Sequence, residues 1–205
     1  MKKRFIKISL FAVVFSFAAI QMNAQQQKPD VAAPDDKSGT PDMSSSMMPG
    51  VMGKSEKPVE VTNLMKFVGN WQSDASLTSE GKTVTVDYWV NCKKTADGNG
   101  IFADEGFSNP EIGTMKGANL AGFDPYDSKV KWFSVDNMGT THEHTGEWVS
   151  PDHLILEHDG MRDGKKYVEK LDFVFSGDDQ LDFKLSGTLD GVEVEKGEGV
   201  FHKKM

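Results

Sequence analysis

The chain reads as an all-β protein, an antiparallel up-and-down β-barrel of about nine or ten strands entered through a short N-terminal helix. Three observations predict this. Apolar and polar residues alternate at period two over most of the chain beyond Trp71, which gives each strand one apolar face. Turn signals recur between those runs, at Asp97-Gly98, Asp124-Pro125, Met138-Gly139, Pro151-Asp152, Asp159-Gly160 to Gly164, Gly177-Asp178 and Asp190-Gly191, and such signals join consecutive strands as hairpins. So many strands with one dry face each do not suit a flat open sheet, and closure removes the edges. An immunoglobulin-like sandwich is the alternative. It uses shorter, crossed-over strands and, in many secreted members, paired cysteines, whereas Cys92 stands alone here.

Taken in order, residues 1–24 are expected to be a signal peptide. Lys2, Lys3, Arg4 and Lys7 form a basic start, Ile8 to Ile20 is almost unbroken apolar sequence, and Met22-Asn23-Ala24 ends on a small residue. The apolar run is short for a membrane anchor and has no basic flank beyond it. With no Cys near the cut, a lipoprotein anchor has nothing to attach to. The expected location is therefore periplasmic or secreted, with no membrane span after signal removal.

Export changes the charge. The 205 residues carry 31 acidic and 23 basic side chains, a net of -8. Removing the four bases of the signal leaves 19 against the same 31 acids, so the mature chain stands at -12. Nucleic-acid partners are excluded on this ground, because their binding rests on Lys and Arg neutralising phosphates. A single Cys cannot form an internal disulfide, so stability must come from a core, and a buried, inert thiol is the expectation for Cys92.

Residues 25–57 are rich in Gln, Pro, Asp, Ser and Gly and hold almost no large apolar side chain other than Met, which predicts a disordered linker. Met43, Met47, Met48 and Met52 cluster within it. Thioethers suit Cu(I), but no His or Cys joins the group, so a plain tether is the simpler reading. The barrel domain is expected over 58–205. Thr62 is placed as the cap of a helix through Val68, with Gly69 at its end and Trp71 opening the first strand. Val84, Val86, Tyr88, Val90 and Cys92 then share one face, as do Tyr167, Leu171, Phe173 and Phe175, and Leu181, Phe183, Leu185 and Leu189.

Three short motifs, Phe67-Val68-Gly69-Asn70-Trp71, Gly122-Phe123-Asp124-Pro125 and Trp132-Phe133-Ser134-Val135-Asp136-Asn137-Met138-Gly139-Thr140, occur in the order of a known pattern. By them the chain resembles the secreted bacterial family called domain of unknown function 1579, with Phe123 where that pattern usually has Tyr. The resemblance spans roughly Leu64 to Phe201 and implies a lipocalin-like, calycin-type barrel whose biochemical role is unsettled. It also implies that Gly69 and Trp71 correspond to the G-x-W start of lipocalins, where the Trp packs across the closed end. One fold hosts many functions, so ligand binding enters as an expectation of the fold.

Chemistry is less legible than fold. There is no G-x-S-x-G, H-E-x-x-H, C-x-x-C or phosphate loop, so neither a catalytic residue nor a cofactor is firmly implied. The pocket candidates are Trp71, Tyr88, Trp132, His142, His144, Trp148, Glu169 and Phe173. His142 and His144 are two apart on a strand and point the same way as Trp148. Two such imidazoles can chelate Zn²⁺ or Cu²⁺ if a third ligand arrives from the next strand, where His158 is the better placed and His153 the other choice. The alternative is a pair of rim histidines hydrogen-bonded to acids. Glu169 shares a face with Tyr167, Leu171 and Phe173, and burial there would raise its pKa. His202, late in the chain, matches where haem-binding calycins place an axial ligand, unless a bulge at Gly197 or Gly199 turns Phe201 inward instead. Three functions follow: a barrel binding a small apolar or amphipathic molecule, which is favoured; a metal- or haem-binding enzyme using the histidine pair; and a structural or interaction domain without a ligand.

Overall fold

The computed structural model describes residues 56–204, so the expected signal peptide, the methionine cluster and all of the expected linker but Glu56 and Lys57 lie outside the described residues. Ten strands follow a short helix. They are β1 (Gly69–Ser79), β2 (Lys82–Thr95), β3 (Gly100–Asn109), β4 (Gly113–Asp124), β5 (Lys129–Asp136), β6 (Thr141–Ser150), β7 (His153–Arg162), β8 (Lys165–Phe175), β9 (Gln180–Leu189) and β10 (Val192–Lys204). Each pairs antiparallel with the next, and β10 returns to β1, so the sheet is a closed up-and-down barrel. No helix among the described residues is long and apolar enough to cross a membrane.

The helix α1 runs Val59–Leu64 and continues as a 3-10 turn over Met65–Phe67. Thr62 lies inside it and does not cap it. The helix starts behind Pro58, whose ring holds φ at -51° and whose carbonyl accepts from the amides of Val61 and Thr62. Its apolar side, Val61 and Leu64, is buried, and Phe67 follows into one end of the barrel. There Phe67 meets Trp132, Phe173 and Phe175 edge to face at centroid separations of 5.4, 5.2 and 4.8 Å, and Trp148 at 6.3 Å. Trp71 completes this closed end, donating its indole N–H to the Phe67 carbonyl at 2.8 Å under the Lys203 ammonium. Gly69, at φ +145°, lets β1 begin two residues before Trp71, and a side chain there would run into Lys203.

The turns use the chemistry their residues carry. Asp124 Oδ1 accepts from the Tyr126 amide, Asp127 Oδ1 from Lys129, and Asp136 Oδ1 from both Met138 and Thr140. One expected turn is shorter than its sequence signal. β7 passes straight through Asp159 and Gly160, pairing Gly160 with Tyr167, and the chain reverses only at Asp163 and Gly164. Gly160 serves packing here, since a Cβ on it would stand 2.8 Å from the His158 ring.

Alternation places the core as the sequence predicts on β2, β8 and β9, and breaks at two bulges. One lies between Trp148 and Ser150 in β6, the other between Glu193 and Glu195 in β10. The second sits upstream of the glycines at which a bulge was expected. It leaves Phe201 buried and His202 exposed, so His202 cannot reach the interior. Cys92 is buried, and burial pushes its thiol up to about 12 against a small opposing pull from Lys203.

Candidate functional site

The barrel encloses a cavity of about 180 Å³. Apolar side chains form most of its wall, and the aromatic ones among them include Trp71, Tyr88, Trp132, Phe173, Phe183 and Phe201. Val135 and Met138 also line it while being 41% and 37% exposed, so they mark its mouth, at the end opposite the Phe67 plug. Of the eight pocket candidates, Trp71, Tyr88, Trp132, His142, His144, Glu169 and Phe173 line this cavity. Trp148 does not. It stacks on Phe175 at 6.3 Å beneath the plug, where its role is to fill the closed end.

Two polar groups interrupt the aromatic wall. The first spans β6, β7, β8 and β10. His142 Nδ1 stands 3.2 Å from Glu169 Oε2, and His144 Nε2 stands 3.5 Å from Glu169 Oε1. The latter distance is within ion-pair range, but the geometry is too poor for a hydrogen bond, and His144 Nδ1 is likewise without a hydrogen-bond partner although the residue is only 2% exposed. His158 stacks on His142 at 4.9 Å and 8°, and its Nδ1 is engaged by the Glu143 carbonyl at 2.9 Å. The three side chains whose ligand atoms gather within 4.8 Å are therefore His142, His144 and Glu169. His158 backs His142 from outside this cluster. His153 faces away and pairs with Asp172.

Burial alone would raise Glu169, as the sequence suggests. The His142 contact and the pull of both imidazoles outweigh it, and the carboxyl is held below the usual carboxylate range. Behind it, Tyr167 donates to Glu169 Oε2 at 2.9 Å and also touches Glu195, which in turn receives Arg162 at 3.2 Å. A phenol has one proton, so Tyr167 can donate to only one of the two acids. Burial raises Glu195, against opposing pulls from Tyr167 and Arg162. Tyr167 is pushed above its ordinary value by burial and by both carboxylates, and stays a donor. Alternation read from Val192 would have turned Glu195 outward, and the bulge reverses it. Gly187 opposite provides the room, since a Cβ there would stand 2.5 Å from the Glu195 side chain.

The second group lies on β2, β3, β4 and β5. Tyr88 donates to Glu105 Oε2 at 2.8 Å, and Trp132 Nε1 donates to Asn119 Oδ1 at 2.9 Å. Glu105 is half-buried and lines the cavity. Burial accordingly raises its pKa, opposed in part by Tyr88 and by the Asn119 amide, which lies near without good hydrogen-bonding geometry. This has a consequence for stability against pH. A carboxyl raised in the fold stabilises fully below the unfolded value of about 4.3, and that contribution is lost as pH climbs through the folded value. Glu105→Gln, which mimics the protonated form, is expected to gain stability relative to the parent chain as pH rises from 4 to 8 in urea titrations. An unchanged difference across that range would show that Glu105 is solvated like a surface acid.

No family model and no curated protein matches the chain. Among solved structures it is similar to the S-type phycobiliprotein lyase CPES from Guillardia theta, at 14% identity and a TM-score of 0.49, over 74% of this chain and 98% of that one. A likeness at that level carries no argument about ligand or reaction. The site is therefore read from its own geometry.

Glu105, Asn119, Arg162 and Glu195 are residues of these two polar groups that the sequence did not single out. Glu105 was legible in principle, because it alternates with Ala103 and Phe107 along β3. Asn119 carries no such mark, since it is recognised only by what Trp132 needs as a partner.

Proposed function

We propose that this protein binds one small, mostly apolar molecule with a polar or ionisable end inside the barrel. The observation that carries this reading is the aromatic-lined cavity of about 180 Å³ with convergent polar groups on two of its walls. An apolar cavity of about 150 Å³ holds benzene, so the ligand class is on the order of ten non-hydrogen atoms or fewer. A planar aromatic or short branched molecule would stack against Trp132 and Phe173, whose rings are themselves stacked at 5.7 Å and 20°. Its polar end would find an ionised acceptor at Glu169 or a carboxyl biased to its neutral form at Glu105. A tetrapyrrole is several times too large for the cavity as it stands, and with His202 exposed the haem reading has no support.

The same reading takes the protein as exported, on the strength of the basic and apolar pattern of residues 1–24. The three ordered motifs support a place in the domain of unknown function 1579 family, with a lipocalin-like barrel. The mass of the protein recovered from the periplasm or medium would test the cleavage.

Native mass spectrometry and thermal-shift screening against small aromatic and branched-chain acids, amines and alcohols test the binding. One equivalent is expected to bind saturably, to quench the cavity tryptophans, and to be lost in Phe183→Trp, which fills the space while the variant still unfolds cooperatively. Absence of any one-equivalent ligand across such a panel, or binding untouched by Phe183→Trp, would overturn the proposal.

A further inference from the structure

We infer that His142, His144 and Glu169 form a binding site for a divalent transition metal of the zinc class, set in the cavity wall with its open positions facing the interior. The site is made by register. His142 and His144 project inward from β6, and the pairing of β6 with β7 and of β7 with β8 brings Glu169 beside them. One ligand atom from each of the three falls within 4.8 Å of the others.

The ligand atoms surround a shared centre, and the widest spacing, up to 4.8 Å, would close by about 0.6 Å as the ion binds. Ligands bound about 2.0–2.1 Å from a tetrahedral ion lie about 3.3 Å apart. The two imidazole-to-carboxylate separations are 3.2 and 3.5 Å. Proximity alone would also describe a carboxylate between two histidines, so a second observation is needed, and His144 supplies it. Its side chain is 3% exposed, and neither ring nitrogen makes a hydrogen bond within the protein. A buried imidazole left in that state gives up its hydrogen bonds to water and has only the long approach to Glu169 in exchange. A metal ion on one nitrogen, facing Glu169, removes the main part of that loss.

The surroundings are those of a metal ligand set. Tyr167 donates to Glu169 and fixes the carboxylate, as outer partners of metal ligands do. His158 stacks on His142 and holds its plane, while its own Nδ1 is tied to the backbone of Glu143. The His142 side chain is 14% exposed, which gives an ion a path from the mouth. Two imidazoles and one carboxylate select a borderline ion such as Zn²⁺ over Ca²⁺ or Mg²⁺, which prefer all-oxygen sites. Three protein ligands leave a coordination position free on the cavity side, where the polar end of a ligand or a water would complete the shell.

This inference does not rest on the proposed organic ligand, and the two are tested separately. The probe is Zn²⁺ or Co²⁺ alone, added to untagged, chelator-stripped protein, read by elemental analysis after dialysis and by the visible d–d bands of Co²⁺. One equivalent per chain is expected, with band intensity typical of four- or five-coordinate Co²⁺ and X-ray absorption showing two imidazoles in the shell. Affinity should fall about 10- to 100-fold in Tyr167→Phe, as for loss of an outer partner, and by more than that in His144→Gln or Glu169→Gln. His153→Gln and His202→Gln should leave it unchanged. Sub-stoichiometric Zn²⁺ in the parent protein, or binding that persists in folded His144→Gln and Glu169→Gln, overturns the assignment. The Co²⁺ spectrum of the parent chain decides the matter even if those variants do not fold. The organic-ligand screen run on chelator-stripped protein reports on the cavity independently.

Discussion

Replacing Gly146 by alanine is expected to destabilise the barrel by about 3 kcal/mol, the upper end of what overpacking a well-filled site costs. Gly146 lies on the inward side of β6, between His144 and Trp148, and pairs with Leu156 of β7. A Cβ there would overlap the Ile155 carbonyl and stand 2.8 Å from Leu156 Cα. These are backbone atoms, so no rotamer change relieves the clash and the two strands must part. The midpoint of urea unfolding should drop with little change in its slope. Because the parting strand carries His144, the variant should also bind Zn²⁺ more weakly than the parent chain. A stability within about 0.5 kcal/mol of the parent, the ordinary surface range, would mean that β6 and β7 are not held this close.

Phe67→Ala is expected to cost about 3–5 kcal/mol, as truncations of buried aromatic side chains do. Phe67 is 5% exposed and touches the rings of Trp132, Trp148, Phe173 and Phe175, so its removal leaves a hole that rigid neighbours fill poorly. The hole joins the cavity to the outside at the closed end, because Phe67 is itself part of the cavity wall. Chemical denaturation measures the loss, and tryptophan fluorescence shifted to longer wavelength reports the wetting of Trp132 and Trp148. A cost below about 1.5 kcal/mol would place the helix at the periphery of the fold, with the strands alone closing the barrel.

The two variants probe different parts of the barrel, the β6–β7 seam and the closed end. Phe67 was visible from sequence only as a neighbour of the Gly69 and Trp71 motif; its role as the plug depends on a helix that starts at Val59 and ends where the barrel's aromatic rings converge. Gly146 carried only a general signal, since an isolated Gly in a strand marks a close approach without saying to what. The strands themselves were legible because one apolar face per strand imposes period two. The histidines were placed on a common face by the same rule, which depends only on their spacing.

What alternation could not supply was partners across strands. His142 and His144 were read together from spacing, but Glu169 joins them through the register of β6, β7 and β8, which no local pattern encodes. The lowered pKa of Glu169 follows from that juxtaposition and runs against what burial alone implies. Glu195 was hidden further, because a single extra residue at the β10 bulge inverts the facing of the strand before it.

By itself, then, the sequence determined the fold class, the order of hairpins and which side chains face inward along each uninterrupted strand, because those depend on interactions between residues near in the chain. The tertiary structure decided the rest: that the cavity is closed by Phe67, that Trp148 packs behind that plug, and that two histidines meet one carboxylate at the cavity wall. Each of those depends on register, bulges and the absence of a Cβ at Gly146, Gly160 and Gly187, where the physical constraint comes from another strand.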